Sequence, residues 1–248
     1  MSSGRSAVLV TGAASGIGRA IASRLVADGA SVLSVDVSPD PDGPGIPFTA
    51  DLATRDGNKA AVERARHEFG RLDAVIANAG FQHVASIEDF PEDRWDALLA
   101  VLLTSPFLLA KYSWSSLASS GRGRFIVIAS IHGLVASPFK AGYVSAKHGV
   151  LGLVKTLALE GAEAGIVTAA ICPGYVRTPL VENQIAAQAK AHGISEDEVI
   201  RDVILARQAV KELIEPDDVA EMVSFLLRDA GRSLTGSPVV MGNGWLAS

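Results

Sequence analysis

The sequence predicts an α/β fold in which helices cover both faces of a parallel β-sheet. Short apolar segments of strand length, beginning with Ala7–Val10, alternate along the chain with segments of helical periodicity. The first of these segments is apolar throughout, which is typical of a parallel strand that is buried on both faces. The first of them runs into a glycine-rich loop and then a helix, and this strand–loop–helix unit is the building block of a doubly wound sheet.

Seven strands and the helices between them follow in order. We predict strands at residues 7–10, 31–35, 48–52, 74–77, 125–129, 166–171 and 238–241. We predict helices at residues 19–28, 56–69, 95–117, 143–158 and 216–227. Pro106 should kink the long third helix, because proline lacks the N–H group that the helix needs at that position.

Residues 180–214 break this alternation. They show two helical patterns between the sixth strand and the last helix. Because they are inserted at the carboxyl edge of the sheet, we interpret them as a lid over a ligand site. The sequence contains no linker, internal repeat or low-complexity tract, so the whole chain, 1–248, is predicted to form one domain that includes this lid.

Composition and charge argue against several classes of protein. The net charge is -5 and no run of Lys or Arg is present, so we expect no nucleic-acid partner. The apolar run Ala97–Leu103 is far shorter than a membrane span, and the start of the chain lacks a signal-peptide pattern. The single Cys172 excludes an internal disulfide and is interpreted as a small buried side chain. We therefore expect a cytoplasmic protein without a membrane or metal partner.

The loop Thr11–Gly18 has the spacing GxxxGxG between the first strand and the first helix. Glycines let a backbone approach a pyrophosphate closely, and the positive end of a helix favours its negative charge. A tight turn without a ligand is the alternative, but the strand–loop–helix context favours a dinucleotide. The candidate cofactor-binding residues in this loop are Gly12, Ser15, Gly16, Ile17 and Gly18.

Asp36 ends the second strand at the distance where an acid can accept hydrogen bonds from an adenosine ribose. The same carboxylate would repel a 2′-phosphate, and neither Ser15 nor Val37 supplies a cation to attract one. The sequence therefore predicts NAD rather than NADP as cofactor. After the third strand, Asp51 can face the adenine amino group beside Leu52 or can cap the next helix.

Ser130, Tyr143 and Lys147 combine a hydroxyl, a phenol and an amine within a short stretch of chain. Tyr143 and Lys147 are four residues apart at the start of a predicted helix, so they lie on one face of it. A neighbouring cation favours the phenolate and lowers a tyrosine pKa. Tyr143 can then exchange a proton with an alcohol or carbonyl whose oxygen Ser130 holds. A buried Tyr and a surface Lys on an amphipathic helix are the alternative.

In this order, the segments Thr11–Gly18 and Asn78–Gly80, the group Ser130, Tyr143 and Lys147, and Pro173–Gly174 resemble the short-chain dehydrogenase/reductase family over nearly the whole chain. The resemblance implies a Rossmann-type sheet of seven parallel strands in the order 3-2-1-4-5-6-7 and a homotetramer. It also implies that Tyr143 is the acid/base, that Lys147 lowers its pKa and holds the nicotinamide ribose, and that Ser130 polarises the substrate oxygen. Further cofactor contacts implied by the family are Asn78, Gly80, Pro173, Val176 and Thr178.

Segments 78–84, 131–137 and 177–185 are similar to the 3-hydroxybutyrate dehydrogenases of that family. The resemblance implies that Gln82, His132, Lys140 and Gln184 bind the substrate carboxylate, while Tyr175 and Trp245 wall the small end of the substrate. A carboxylate needs a cation and neutral donors, which these side chains supply. Taken alone, each has an ordinary alternative: a loop Lys, a loop His, a solvated Gln or, for Trp245, a packing anchor.

Three positions depart from the family pattern. Leu102 stands where most members have an Asn that holds a water in a proton relay with the lysine. Tyr175 stands where 3-hydroxybutyrate dehydrogenases often have Trp, and residues 242–245 lack the usual acidic pattern, which weakens the role of Trp245. The catalytic group is intact, so we predict an active enzyme.

The sequence hypothesis is reversible NAD-dependent oxidation of (R)-3-hydroxybutyrate, a small hydroxy acid, to acetoacetate. A dehydrogenase for another small hydroxy acid or alcohol is the alternative within this class. A 3-oxoacyl carrier-protein reductase fits less well because Asp36 disfavours NADPH. A non-catalytic NAD-binding regulator fits less well because such proteins lose the Tyr/Lys pair, which this chain keeps.

Overall fold

The computed structural model describes residues 5–179, 181, 182, 185, 189 and 193–247, and its centre is one parallel sheet. The strands run in the order β3-β2-β1-β4-β5-β6-β7, which confirms the predicted fold class and strand order. They are β1 (Ala7–Thr11), β2 (Ser31–Asp36), β3 (Ile46–Thr49), β4 (Ala74–Ala77), β5 (Arg124–Ile128), β6 (Val167–Pro173) and β7 (Pro238–Met241). The order reverses between β1 and β4, and ligands of open α/β sheets bind at such a switch point.

Helices cover both faces of this sheet. They are α1 (Gly16–Ala27), α2 (Arg55–Phe69), α3 (Glu92–Leu99), α4 (Ser105–Ser119), α5 (Ala141–Gly161) and α6 (Pro216–Leu227). The helices α1 and α6 pack together on one face, while α2, α4 and α5 cover the other. Each residue of β1, β4, β5 and β6 is buried, which explains why these segments are predominantly apolar.

The third strand lies earlier than the predicted 48–52. It begins after Gly45, which has a φ of +82°, and it ends where Thr49 pairs with Asp36. Beyond that pair the Ala50 N–H still donates to the Asp36 carbonyl oxygen at 3.0 Å, and the chain then turns away. Pro47 is tolerated because β3 is the edge strand of the sheet, where a missing N–H donor breaks no central ladder.

The long third helix is deformed before Pro106 rather than at it. A π-helical turn, Ala100–Thr104, joins α3 to α4, and Pro106 occupies the first turn of α4. Proline has no N–H to donate to the carbonyl four residues back, so the hydrogen-bond ladder widens just upstream of it. The continuous segment Glu92–Ser119 is the one described helix that is long and apolar enough to cross a membrane. It packs against α2 and α5, as a core helix does.

The segment predicted to be a lid has its own small apolar cluster. The first of its two predicted helices falls mostly on residues outside the described ranges. The second is short: Glu196–Glu198 begins with a capping box from Ser195 and continues into a π-helical turn, Val199–Ile204. Described members of the cluster are Val181, Ile185, Val199, Ile204, Leu205 and Leu213.

Candidate active site

The carboxyl ends of the strands open into one cleft of about 640 Å³. All the cofactor-binding, catalytic and substrate-binding residues predicted from the sequence line this cleft, as far as the structure describes them. At the end expected to hold the cofactor these are Gly12, Ser15, Gly16, Ile17, Gly18, Asp36, Asp51, Leu52, Asn78, Gly80, Pro173, Val176 and Thr178. At the end expected to hold the substrate they are Gln82, Ser130, His132, Lys140, Tyr143, Lys147, Tyr175 and Trp245. Gln184 lies outside the described residues.

The glycine-rich loop forms a backbone cradle that side chains would fill. Gly12 has a φ of +66°, and a Cβ there would lie 2.8 Å from the Cα of Ala79. A Cβ on Gly18 would lie 2.0 Å from the Gly12 carbonyl oxygen. The Asn78 side-chain amide donates to the Thr11 carbonyl oxygen at 2.9 Å and holds the loop against β4. This cradle at the N-terminus of α1 fits the pyrophosphate of a dinucleotide.

The acidic residues of the cofactor end occupy different environments. The Asp36 carboxylate accepts hydrogen bonds from the N–H groups of Ala14 and Ser38, both at 3.2 Å, and faces the cleft. Thr54, and not Asp51, is the N-cap of α2, because its hydroxyl accepts the Gly57 N–H at 3.0 Å. The capping alternative for Asp51 is therefore wrong, and its exposed carboxylate remains on the cleft.

The catalytic candidates converge where β5 ends and α5 begins. The Ser130 hydroxyl accepts the His132 N–H at 3.1 Å and lies near the Tyr143 phenol. Lys147 is one helical turn from Tyr143, and its ammonium donates to the Ile128 carbonyl oxygen at 2.7 Å. This arrangement brings a hydroxyl, a phenol and an ammonium to one wall of the cleft.

The acidity of these groups differs from the expected pattern. Burial raises the pKa of the Tyr143 phenol, and the Ser130 hydroxyl opposes this rise only in part. Burial also lowers the pKa of the Lys147 ammonium to about 8. The net shift of the Tyr143 pKa is therefore upward, opposite to the lowering that the sequence predicts, because burial of the phenol outweighs the groups around it. The Lys147 ammonium is hydrogen-bonded to the Ile128 carbonyl oxygen and lies 5.6 Å from the Tyr143 ring centroid.

At the substrate end of the cleft, two side-chain hydrogen-bond donors, Gln82 and Lys140, have no acceptor among the described residues. The side-chain Nε2 of Gln82 is buried and has no hydrogen-bond partner among the described residues. Lys140 forms no ion pair with any carboxylate in the described part of the chain, and its ammonium lies 5.6 Å from the Tyr175 ring centroid. Burial lowers the pKa of the Lys140 ammonium. Such a set of donors suits an anionic oxygen of a ligand.

His132 and two aromatic rings close this end. The rings of Tyr175 and Trp245 stack with centroids 5.8 Å apart, and Trp245 meets His132 edge to face at 5.6 Å. The His132 Nε2 lies 2.9 Å from the Ser137 hydroxyl. Burial, assisted by the charges of Lys140 and Arg207, lowers the pKa of His132 to about 4. The imidazole is therefore neutral at pH 7.

The buried neutral imidazole predicts how stability changes with pH. Between the ordinary pKa of 6.5 and the folded-state pKa of about 4, His132 is protonated in the unfolded chain but neutral in the folded protein. The free energy of unfolding therefore falls as the pH is lowered through this interval. We expect His132 to account for about 3 kcal/mol of this loss, from the pKa difference at 1.36 kcal/mol per unit. Urea unfolding at the two ends of that pH interval should show a smaller loss for His132→Gln. Equal losses in wild type and variant would contradict this, and exposed His67→Gln is the control.

Leu102 occupies the π-helical turn and cannot serve in a hydrogen-bonded relay. It is 2% exposed and packs with Leu98, Ala146 and Tyr143. A Cβ on Gly80 would lie 2.7 Å from its Cδ2 atom, so the glycine is what admits this side chain. Leu102 thus contributes an apolar wall behind the phenol.

Sequence reasoning missed several residues of the cleft. Ala97 and Val101 line it from one helix face, and their spacing of four residues was a usable signal. Arg207 acts on His132 and Tyr175 through its charge, and Gln208 is buried beside Gly174. Both lie in an irregular segment that follows the lid, where no motif or periodicity identifies them.

The sheet, the glycine cradle at its switch point and the adjoining Ser–Tyr–Lys group define a class of protein, the dinucleotide-dependent oxidoreductases. The family model described as short chain dehydrogenase matches residues 6–189. The chain belongs to this short-chain dehydrogenase/reductase family. It is an oxidoreductase that acts on a small-molecule substrate with a nicotinamide dinucleotide cofactor.

Relatives match nearly the whole chain. A protein named D-beta-hydroxybutyrate dehydrogenase from Rhizobium meliloti (strain 1021) is 42% identical over 96% of this chain and 98% of its own length. One of the same name from Cupriavidus necator is 40% identical over 96% and 97%. Among solved structures, ligand-free aldohexose dehydrogenase from Thermoplasma acidophilum matches with a TM-score of 0.92 and 25% identity, covering 98% of this chain and 95% of that one.

Proposed function

We propose that the protein interconverts (R)-3-hydroxybutyrate and acetoacetate with NAD. The observation that carries the proposal is the pair of donors Lys140 and Gln82, which have no acceptor among the described residues and line the cleft with neutral His132, next to Ser130 and Tyr143. One short hydroxy acid can place its carboxylate on the first group and its alcohol on the second. The names of two relatives at 40% identity or more support this substrate.

The proposed mechanism assigns a task to each side chain. Ser130 holds the substrate hydroxyl by a hydrogen bond, and Tyr143 takes its proton as the C–H bond breaks. A nicotinamide dinucleotide held in this cleft would supply the acceptor for the hydride that leaves that carbon. The products are acetoacetate, NADH and one proton, which leaves through Tyr143. Lys147 would hold the nicotinamide ribose, and it provides positive charge beside the phenol while the proton moves.

The carboxylate donors orient the reacting carbon. Lys140 provides charge, whereas Gln82 provides a neutral N–H donor and His132 a neutral ring. Holding the far end of a small substrate converts a random encounter into an aligned one, which is a large part of catalysis. The stacked rings of Tyr175 and Trp245 limit the space beyond it.

The dependence on the substrate carboxylate tests this function. Initial rates of NADH formation should be compared for (R)-3-hydroxybutyrate and (R)-2-butanol, which carries the alcohol without the acid. We expect kcat/KM to be at least about 10⁴-fold lower for the neutral alcohol, because a site built to bind a polar group rejects an analogue that lacks it. Comparable values for the two alcohols would contradict the proposed carboxylate site.

We also propose NAD rather than NADP as the cofactor. The Asp36 carboxylate faces the adenosine end, and the nearby Arg19 is engaged with Asp40 at 2.6 Å. A 2′-phosphate would therefore meet a negative charge, and Arg19 is already paired. The engagement of Arg19 thus adds to the expectation from Asp36, Ser15 and Val37.

Asp36→Ser should shift the cofactor preference. We expect the ratio of kcat/KM for NAD to that for NADP to fall by at least about tenfold, because like-charge contacts cost several kcal/mol and the variant removes one. Steady-state rates with both cofactors measure the ratio. The matched control is Asp42→Asn, an exposed carboxylate in the following loop. An unchanged ratio in Asp36→Ser would show that another group selects the cofactor.

A second candidate within the same chemistry is a dehydrogenase for a different hydroxy acid. A relative named cis-4-hydroxycyclohexanecarboxylate dehydrogenase, from Sinomonas cyclohexanicum, is 32% identical over 96% of both chains. The Tyr175 wall favours a small substrate, and the relative turnover of the two acids distinguishes the candidates.

From the family resemblance we further propose a cytoplasmic homotetramer. Light scattering of the purified protein measures the mass of the assembly.

A further inference from the structure

Phe139 has an unusual backbone conformation. Its φ is +65°, and among the described residues other than glycine only Asn243 also has a positive φ. Asparagine adopts this left-handed region readily, whereas a bulky phenylalanine in it is an outlier. The Phe139 side chain is 58% exposed, so packing of the ring offers little compensation. Strained residues persist only where the surrounding structure holds them, and they cluster at functional sites.

The strained residue is the third of turn 137–140, and Pro138 is the second. Proline followed by a residue of positive φ is typical of a type II turn, in which glycine or asparagine is favoured at the third position. The Phe139 carbonyl oxygen accepts the Ala85 N–H at 3.0 Å. Ala85 belongs to the loop that carries Gln82, three residues earlier. This hydrogen bond therefore joins the turn to the loop of one proposed carboxylate donor.

The two ends of turn 137–140 carry or contact the other side chains of the proposed carboxylate site. At the first residue, the Ser137 hydroxyl lies 2.9 Å from the Nε2 atom of His132. The last residue is Lys140, which is also the N-cap of α5, and its carbonyl oxygen accepts the Val144 N–H at 2.9 Å. The backbone of Lys140 is thus held by the helix on one side and by the turn on the other.

We propose that Phe139 is a positioning residue, and that its left-handed backbone, rather than its ring, directs the Lys140 ammonium into the cleft. A residue with a negative φ at this position would redirect the backbone on either side of it. The hydrogen bond from Ala85 and the direction of Lys140 would then be lost together. The strained turn thus holds the cation in place before the substrate arrives, which lowers the cost of ordering it on binding. This inference rests on the proposed function, because it assigns the cation to a substrate carboxylate.

Phe139→Val and its matched control Phe139→Asn separate the backbone from the ring. Both variants remove the ring, but only asparagine tolerates the left-handed conformation. We expect KM for (R)-3-hydroxybutyrate to rise about tenfold in Phe139→Val and to stay within about twofold of wild type in Phe139→Asn, because a displaced cation binds the carboxylate less tightly. KM for NAD should be unchanged in both. Phe139→Asn should also have the higher melting temperature of the two, although valine is the more apolar residue.

A second substitution identifies the group through which Phe139 acts. Lys140→Met removes the cation, so adding Phe139→Val to that variant should raise KM for the acid no further. Steady-state rates over a range of acid concentrations give KM for wild type, both single variants and the double variant. A turn that only stabilised the fold would lower the melting temperature without this dependence on Lys140.

Three results would overturn the inference. A wild-type KM for the acid in Phe139→Val would mean that the backbone at this position does not direct Lys140. An equal rise in Phe139→Asn and Phe139→Val would mean that the ring is what matters. A further rise in the double variant would mean that the turn acts through another group. Failure of the proposed function looks different, because wild type itself would not oxidise (R)-3-hydroxybutyrate. The melting temperatures would then still show whether turn 137–140 is strained.

Discussion

Tyr143→Phe is expected to lower kcat by about 10²- to 10⁴-fold, the range that a positioned acid/base contributes. The variant keeps the ring, which packs against Leu98 and Leu102 and meets His132 edge to face at 6.1 Å. It loses only the phenolic oxygen, the atom that exchanges a proton with the substrate hydroxyl. The loss should therefore fall on turnover and leave NAD affinity and thermal stability close to wild type.

Steady-state kinetics measure the expected loss of kcat, and fluorescence titration with NAD measures the expected unchanged affinity. The control is Tyr112→Phe, which removes a phenolic oxygen from a partly buried tyrosine of α4 that packs on the core away from the cleft. It should keep wild-type turnover. Wild-type kcat in Tyr143→Phe would exclude the phenol from proton transfer.

Lys140→Met should raise KM for (R)-3-hydroxybutyrate by about 10- to 100-fold with a smaller change in kcat. The reason is that a hydrogen bond to a charged group contributes about 1.5–3 kcal/mol, and the substrate carboxylate loses its cation. Met retains an apolar stem of similar length over the Tyr175 ring, so the wall of the pocket persists. Rates measured over a range of substrate concentrations separate KM from kcat.

The control for this variant is a lysine of α5, the helix that begins directly after Lys140. Lys155→Met removes an equal charge from an exposed position of α5 and should leave KM unchanged. An unchanged KM in Lys140→Met, or an equal rise in both variants, would mean that Lys140 does not bind the carboxylate. The substrate would then be held by other donors or would carry no charge.

Much of this architecture can be predicted from the sequence, because a strand that is buried on both faces consists mainly of apolar residues. The strand segment Phe125–Ile128 is apolar on every residue, since helices cover both sides of it. The glycine loop was equally readable, because the close approach of Gly18 to Gly12 admits no side chain. Such features are set by local geometry, which neighbouring residues in the sequence reveal.

The features that sequence reasoning missed depend on contacts between distant segments. The bounds of β3, for example, follow from its pairing with β2. The raised pKa of Tyr143 results from burial that the short spacing to Lys147 does not disclose. The position of Gln208 against Gly174 likewise joins two loops that are far apart in the chain.

The most direct test of the central claim is NADH formation with the two enantiomers of 3-hydroxybutyrate. If the carboxylate is held by Lys140 and the hydroxyl by Ser130 and Tyr143, only one configuration at the reacting carbon directs its hydrogen toward the nicotinamide. We expect turnover with the R acid and NAD, and none with the S acid. Equal turnover of both enantiomers would contradict the proposed function. Turnover of neither acid, together with rapid oxidation of a neutral alcohol, would also contradict it.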